Sequence, residues 1–206
     1  MPSDAVICGV LMAGGASRRM GGGDKCLRDL GGRTLLRRIA DVAAPQVDML
    51  ILNSNSDPAS FEGYGLPVVP DSVGGRVGPL AGVLTGLEWA RDRVPSCDWV
   101  ASFACDAPFA PADLVVRLVE AVEQEGADMV CAASDGRDHP VFGLWPVRLA
   151  AELRSAVTNE GIRKVDEWTA RYSLARAAFA TDPVDPFFNV NRPEDLAEAE
   201  GLVAAA

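Results

Sequence analysis

Unbroken apolar runs of strand length, set apart by stretches of helical spacing, constrain this chain more than any other feature. "AVICGVLM" (5–12) has no polar residue at alternate positions. A strand with one wet face alternates, whereas a strand apolar throughout is covered on both faces. Comparable runs return as "VDMLILN" (47–53), a short "LPVVP" (66–70), "DWVASFAC" (98–105) and "ADMVCAAS" (127–134). Between them, "TLLRRIADVAA" (34–44) places Leu35, Leu36, Ile39, Val42 and Ala43 on one face before Pro45 stops it. "PLAGVLTGLEWARD" (79–92) reads as helix despite Gly82 and Gly86. "PADLVVRLVEAVEQEG" (111–126) starts on proline and ends on glycine, as helices do. "HPVFGLWPV" (139–147) reads as a further strand, for which an antiparallel direction stays open. Beyond it come two shorter helical stretches, a strand-like "YSLARAAF" (172–179) and a terminal helix from 192. The alternation predicts a three-layer α/β fold around a mostly parallel open sheet with right-handed crossovers. At 206 residues without repeat, low-complexity segment or linker, 1–206 is expected to be one domain.

In open sheets of this kind ligands bind outside the carboxyl ends of the strands. That rule directs attention to 13–25, 53–55, 71–82, 106–110 and 135–139. The first of these lies in "GVLMAGGASRRMGGGDK" (9–25), which has the parts of a phosphate cradle. Gly14 and Gly15 allow backbone to approach a phosphate closely. Arg19 and Lys25 supply charge, the arginine bidentately and the lysine as a point. Asp24 precedes Lys25 and Cys26 follows it, so this is no Walker A loop, and G-x-G-x-x-G cannot be placed. The competing reading is a glycine-rich surface loop with solvated arginines.

Asp106, in "ACDAPF" (104–109), follows an apolar strand at the mouth of the sheet. A carboxylate there suits Mg²⁺ on nucleotide phosphates, which needs one or two carboxylates plus water; equally, it suits a turn that caps the helix near Pro111. Asn53 and Asp71 end the second and third strands, as walls of a purine pocket or as Asx turns. Asp is a natural acceptor for the N–H edge of guanine. In "FFNVNRPEDL" (187–196), Asn191 with Glu194 resembles a capping box, which leaves Asn189 unexplained. His139, in "DGRDHP" (135–140), reads as a turn histidine, and Arg137 and Arg163–Lys164 as anion contacts for a second substrate.

Composition narrows the partners. A formal charge of −10, from 19 Lys+Arg against 29 Asp+Glu, argues against nucleic acid or an anionic membrane surface. Five cysteines without a C-x-x-C pair, and one histidine, point to buried reduced thiols rather than zinc. The first residues lack a basic start, and their apolar run is too short for a signal peptide or a span. A cytoplasmic location is expected.

"LMAGGASRRMGGGDK" resembles the L-A-G-G-x-S-x-R-M-G-x-x-K signature of the molybdenum cofactor guanylyltransferases. The likeness continues, in order, through "LILNSN", "VVPDS", "GPLAG", "CDAPF", "RDHP" and "FNVNRPEDL". It implies the nucleotide-diphospho-sugar transferase (Rossmann-like) version of the α/β fold. It also implies a reaction in which molybdenum-loaded molybdopterin attacks the α-phosphate of GTP, releasing pyrophosphate. By that resemblance Met12, Ala13, Gly14 and Lys25 match the GTP loop, with Met12 in place of the usual Leu. Asn53 and Asp71 match further nucleotide contacts, and Asp106 both a GTP contact and the Mg²⁺ ligand. Where many sugar nucleotidyltransferases use a carboxylate pair, "CDAP" offers one, with Asn189 or Asn191 the nearest replacement. Catalysis is then assigned to Arg19, Lys25 and Asp106, and the pterin side to Arg137, Arg163, Asn189 and Asn191. Molybdoenzyme-specific chaperones are implied as further partners. The rivals are a molybdopterin cytidylyltransferase or sugar-1-phosphate nucleotidyltransferase on the same scaffold, and a non-catalytic GTP- or molybdopterin-binding carrier. The first group usually carries Ala-Ala-Gly where this chain has Ala13-Gly14-Gly15; the carrier needs no metal ligand at Asp106.

Overall fold

The structure is a computed structural model describing residues 5–14, 23–75 and 77–205. Its centre is a seven-stranded sheet. In chain order the elements are β1 (Val6–Met12), a small hairpin β2 (Asp29–Leu30) and β3 (Arg33–Thr34), α1 (Leu35–Ala43), β4 (Met49–Asn53) and β5 (Val68–Val69). Then follow α2 (Pro79–Arg93), β6 (Cys97–Ala104), α3 (Leu114–Glu125), β7 (Met129–Ser134), β8 (Arg137–Pro146), α4 (Ala150–Thr158), α5 (Val165–Thr169), β9 (Leu174–Phe179) and α6 (Pro193–Ala205). The sheet order is β5-β4-β1-β6-β8-β7-β9. β8 runs antiparallel to both its neighbours, and the other pairings are parallel.

Both faces of β1 are covered, as an apolar run without alternation requires. Ile7 and Leu11 pack with Leu36 and Ile39 of α1 and Leu114 and Leu118 of α3. Cys8 and Val10 pack on the other side with Leu80, Val83 and Leu84 of α2, Leu153 of α4 and Trp168 of α5. Three layers result. The glycines of α2 are the condition for its close approach. A Cβ at Gly86 would lie 3.0 Å from Val10, and one at Gly82 only 2.8 Å from both Asn53 Oδ1 and Met12 Sδ. They are packing residues, so the helix tolerates them.

Differences from the sequence expectation are local. The strand expected over 66–70 pairs only at Val68–Val69, and Pro67 contributes its carbonyl alone, to Leu52 N–H at 2.9 Å. The helix expected from 111 starts at Leu114, because Pro111 closes a preceding turn. The β2–β3 hairpin, turned by Gly31 and Gly32 with φ of 61° and 79°, gave no periodic signal of its own. Leu30 and Leu35 there meet Val190 and Ala199, which brings the C-terminal segment beside the hairpin that follows Lys25.

The order of strands positions the site. β1 lies between β4 and β6, and the chain leaves β1 first towards β4 and β5, then returns to its other side for β6. That reversal is a topological switch, where open α/β sheets bind ligands.

Candidate functional site

Three strand ends meet at the switch. The Ala13 N–H donates to the Asn53 carbonyl at 3.0 Å, and the Cys105 N–H to the Met12 carbonyl at 3.3 Å. Met12, Ala13, Gly14, Lys25, Cys26, Cys105 and Asp106 line one small pocket there. Gly15 and Arg19, expected to contact phosphate, lie outside the described residues.

Lys25 opens a short 3-10 turn whose next residue, Cys26, is buried, so the lysine is anchored at its base. Its ammonium donates to Asp106 Oδ2 and to Asn191 Oδ1, each at 2.6 Å. The pair is largely sheltered, with side-chain exposures of 17% and 26%. Asp106 therefore does not cap α3. The N-cap position of α3 belongs to Asp113, and the Asp106 carboxylate spends its bond on Lys25.

Asn191 arrives from the other end of the chain. The Val190 N–H holds the Asp106 carbonyl at 2.8 Å. The carboxylate that receives the Asn191 and Arg192 N–H groups, at 2.7 and 2.8 Å, is that of Asp195, not of Glu194 as the capping-box pattern suggests. Asp195 takes over the cap, which leaves the Asn191 side chain for Lys25. Asn189 bonds locally, Nδ2 to the Phe187 carbonyl at 3.1 Å.

On the β4–β5 side, Asn53 is 3% exposed and donates to the Val69 carbonyl at 3.2 Å and to Asp71 Oδ1 at 3.0 Å. Asn55 donates to Asp71 Oδ2 at 2.8 Å and accepts the Asp71 N–H at 2.9 Å. Two asparagines thus orient the carboxylate, each leaving its oxygen lone-pair capacity for a ligand. Asn55 was missed by sequence reasoning, although it stands two residues after Asn53 and so beyond the same strand end.

The expected pterin contacts are not gathered in one cluster. Arg137 stands exposed at the start of β8, at the sheet's carboxyl end because β8 is reversed. Arg163 donates to the carbonyls of Val157 and Ile162 at 2.7 and 2.9 Å, closing the end of α4. His139 is more than a turn residue: its Nε2 lies 2.7 Å from Ser134 Oγ and its ring is stacked on Phe187 at 4.6 Å. Burial holds its pKa below the ordinary value, against the opposing pull of Asp185.

Among its described residues the site contains no activated nucleophile. Burial pushes the Cys26 thiol up to about 12 and the Cys105 thiol well above its usual range. Among the described residues, no three His, Cys, Asp or Glu side chains cluster to hold a metal. The Asp106 and Asn191 oxygens nevertheless converge on one cation, the Lys25 ammonium. That donor set fits a hard divalent ion delivered on a polyphosphate, which takes one or two protein oxygens and completes its shell elsewhere.

A larger cavity, about 510 Å³, opens at the opposite end of the sheet beside Cys97, Trp99 and Arg148, whereas the Lys25–Asp106 pocket holds only about 20 Å³. At the larger cavity Cys97 Sγ donates to the Trp99 carbonyl at 3.1 Å, and hydrogen bonding with the neighbouring Cys8 thiol holds Cys97 below its usual range while raising Cys8. Volume and chemistry disagree, and chemistry decides, because the glycines, the ammonium and the polar strand ends all stand at the carboxyl end. No described helix is long and apolar enough to cross a membrane.

Residues 9–175 match the model of the MobA-like NTP transferase domain. A molybdenum cofactor guanylyltransferase of Rhodopseudomonas palustris (strain BisB5) is 55% identical over 193 residues, 94% of this chain and 92% of that protein. One from Bradyrhizobium sp. (strain ORS 278) is 54% identical over 196 residues, 95% and 92% of the two chains. The crystal structure of molybdopterin-guanine dinucleotide biosynthesis protein A from Archaeoglobus fulgidus has a TM-score of 0.76 at 22% identity, covering 97% of this chain and 100% of the other.

Proposed function

This chain belongs to the MobA-like NTP transferase family, among the molybdenum cofactor guanylyltransferases, and from that premise we propose that Lys25, Asp106 and Asn191 are the centre at which it transfers GMP. The reaction joins GMP from GTP to molybdopterin, forming the guanine dinucleotide form of molybdenum cofactor and releasing pyrophosphate. The attacking group is already a phosphate, so the protein needs neither a nucleophile of its own nor a strong base. Positioning and charge neutralisation carry such a transfer.

Each residue then has a task. Ala13 and Gly14 bring backbone to the triphosphate, and Gly14 leaves open space where a Cβ would stand. Lys25 exchanges its bonds with Asp106 and Asn191 for phosphate oxygens, placing full charge where negative charge grows. Asp106 and Asn191, relieved of the ammonium, would hold Mg²⁺. When bound, that ion neutralises phosphate charge and orients the leaving pyrophosphate. Asp71, set by Asn53 and Asn55, accepts the N–H edge of guanine. Arg19 and Gly15 complete the loop in this proposal, while Arg137 and Asn189 face the pterin half and Arg163, expected there too, is instead engaged by the Val157 and Ile162 carbonyls. The same proposal includes one domain, a cytoplasmic setting and hand-over to molybdoenzyme-specific chaperones.

The observation that carries this assignment is the convergence of the Asp106 and Asn191 oxygens on the Lys25 ammonium. Its test is Asp106→Ala, assayed for pyrophosphate release from GTP with molybdopterin and Mg²⁺, with the melting temperature measured on the same sample. Near-abolished transfer in a folded protein is expected, unrelieved by excess Mg²⁺. An active but destabilised variant would return Asp106 to a turn-forming role.

A further inference from the structure

Three polar side chains away from the Asp71 wall are linked in series. β7 ends at Ser134, and the chain returns as β8 through a two-residue turn in which Asp135 and Gly136 have φ of 47° and 71°. Positive φ at both positions is the tight-hairpin geometry that fixes register. The register pairs His139 with Ala132 and Arg137 with Ser134, so the imidazole and the Ser134 hydroxyl share a face. Ser134 Oγ lies 2.7 Å from His139 Nε2 and donates to Asp185 Oδ1 at 3.0 Å. A hydroxyl has one hydrogen. With that hydrogen on the carboxylate, the imidazole supplies the other bond, which assigns its proton to Nε2.

Asp185 passes the constraint along its own segment. Oδ1 also accepts the Phe187 N–H at 3.0 Å, and its carbonyl accepts the Phe188 N–H at 3.1 Å. Phe187 is 1% exposed, under the His139 ring and against Phe142 and Phe179 at centroid distances of 4.9 and 5.3 Å. A few residues on, the Val190 N–H holds the Asp106 carbonyl and Asn191 Oδ1 holds Lys25. The buried ring fixes how deep the segment sits. The polar series fixes its direction, because a carboxylate accepting two bonds has one orientation.

We propose that Ser134, His139 and Asp185 are positioning residues for nucleotidyl transfer, which set the 185–191 segment and through it the placement of Asn191 and Asp106 about Lys25. They touch no reacting atom. The proposal rests on the assignment of Lys25 and Asp106 as the catalytic centre. Burial keeps His139 neutral near pH 7, with its single proton directed at Ser134.

The experiment compares Ser134→Ala, His139→Ala and His139→Gln in the full-length protein. It measures guanine dinucleotide formation from GTP and molybdopterin, and the melting temperature. A misplacement of about 1 Å costs up to ~100-fold in rate, so kcat is expected to fall roughly ten-fold or more in both alanine variants while KM for GTP changes less than about two-fold. His139→Gln, whose amide presents an N–H where Nε2 stood, should recover most of the loss. Wild-type kcat in Ser134→Ala beside an inactive Asp106→Ala would overturn the proposal alone. So would a loss that only tracks the unfolded fraction, or one that glutamine does not relieve. An active Asp106→Ala would overturn the catalytic assignment beneath it, and the proposal with it.

Discussion

Lys25 sits 2.6 Å from two oxygens that belong to segments 81 and 166 residues away. A cation so placed screens the Asp106 and Asn191 oxygens from each other and holds them together, preorganised for a ligand. Lys25→Ala is expected to lower kcat at saturating GTP by roughly 2–4 kcal/mol of barrier, the loss typical of one preorganised electrostatic donor. Unchanged turnover would make it a surface residue. Asp71→Asn replaces one acceptor oxygen with a donor, which repels the N–H edge it is proposed to bind. A thermal-shift series with GTP, CTP, ATP and UTP should show the wild type preferring GTP and the variant losing that preference over ATP. Asp71 and Asp106 were legible as candidates because each follows the end of an apolar strand, and Lys25 because it closes the glycine-rich stretch after β1. Asn191 was legible as a polar residue but not as a ligand of Lys25. Its sequence pattern offered Glu194 as a capping partner, and only the fold shows that Asp195 does that work.

At the scale of elements, α2 carries the sharpest constraint. Gly82 faces Asn53 Oδ1 and Met12 Sδ at 2.8 Å from where its Cβ would be. Methionine can turn aside, but Asn53 is held by Val69 and Asp71. Gly82→Ala should therefore cost ~1–3 kcal/mol of stability, as overpacking does, and weaken GTP binding through Asn53; calorimetric melting and titration with GTP check the two effects. α2 is also tied to α4 by Glu88, whose carboxylate accepts from Arg154 Nε and Nη2 at 2.5 and 2.6 Å. Burial pushes the Glu88 pKa up, but the bonds from Arg154 and Ser72 outweigh it and hold the group below its usual value. A carboxyl lowered on folding contributes stability that is present above its unfolded value, near 4.5, and lost as pH falls through the folded value. Arg154→Ala should therefore lower stability at pH 7, by ~1–3 kcal/mol given a half-exposed arginine, and narrow its difference from wild type in acid melts below pH 4.5. The helices and parallel strands were readable from spacing. The direction of β8 was not, since an apolar run looks the same whichever way it is traversed, and a two-residue strand such as β5 carries no period at all.

Across the whole molecule, the sheet divides into a half with β5, β4, β1 and β6 and a half with β8, β7 and β9. The nucleotide is assigned to the first, so Arg137→Ala on the second is expected to raise KM for molybdopterin while leaving GTP affinity unchanged, as steady-state kinetics with each substrate varied would show. A loss of GTP affinity would reverse that division. Arg163→Ala should behave differently, because its guanidinium closes α4 on the Val157 and Ile162 carbonyls. A lower melting temperature is its expected signature. Open-sheet architecture and the carboxyl-end location of the candidate site followed from apolar runs and strand order, whereas the surroundings of Arg163 and Asn189, expected on the pterin side, did not, because both stand in loops whose course no periodicity reports.

The Lys25–Asn191 contact spans 166 residues of chain. Ribosomes add about 5–20 residues per second, so Asn191 is made roughly ten to thirty seconds after the loop it completes. Throughout that interval the emerging protein holds Lys25 without the Asn191 side chain that meets it in the fold. On the assignment proposed above, a chain that ends before Asn191 is expected not to transfer GMP, so competence would arrive with the last segment of the chain rather than with the loop it serves.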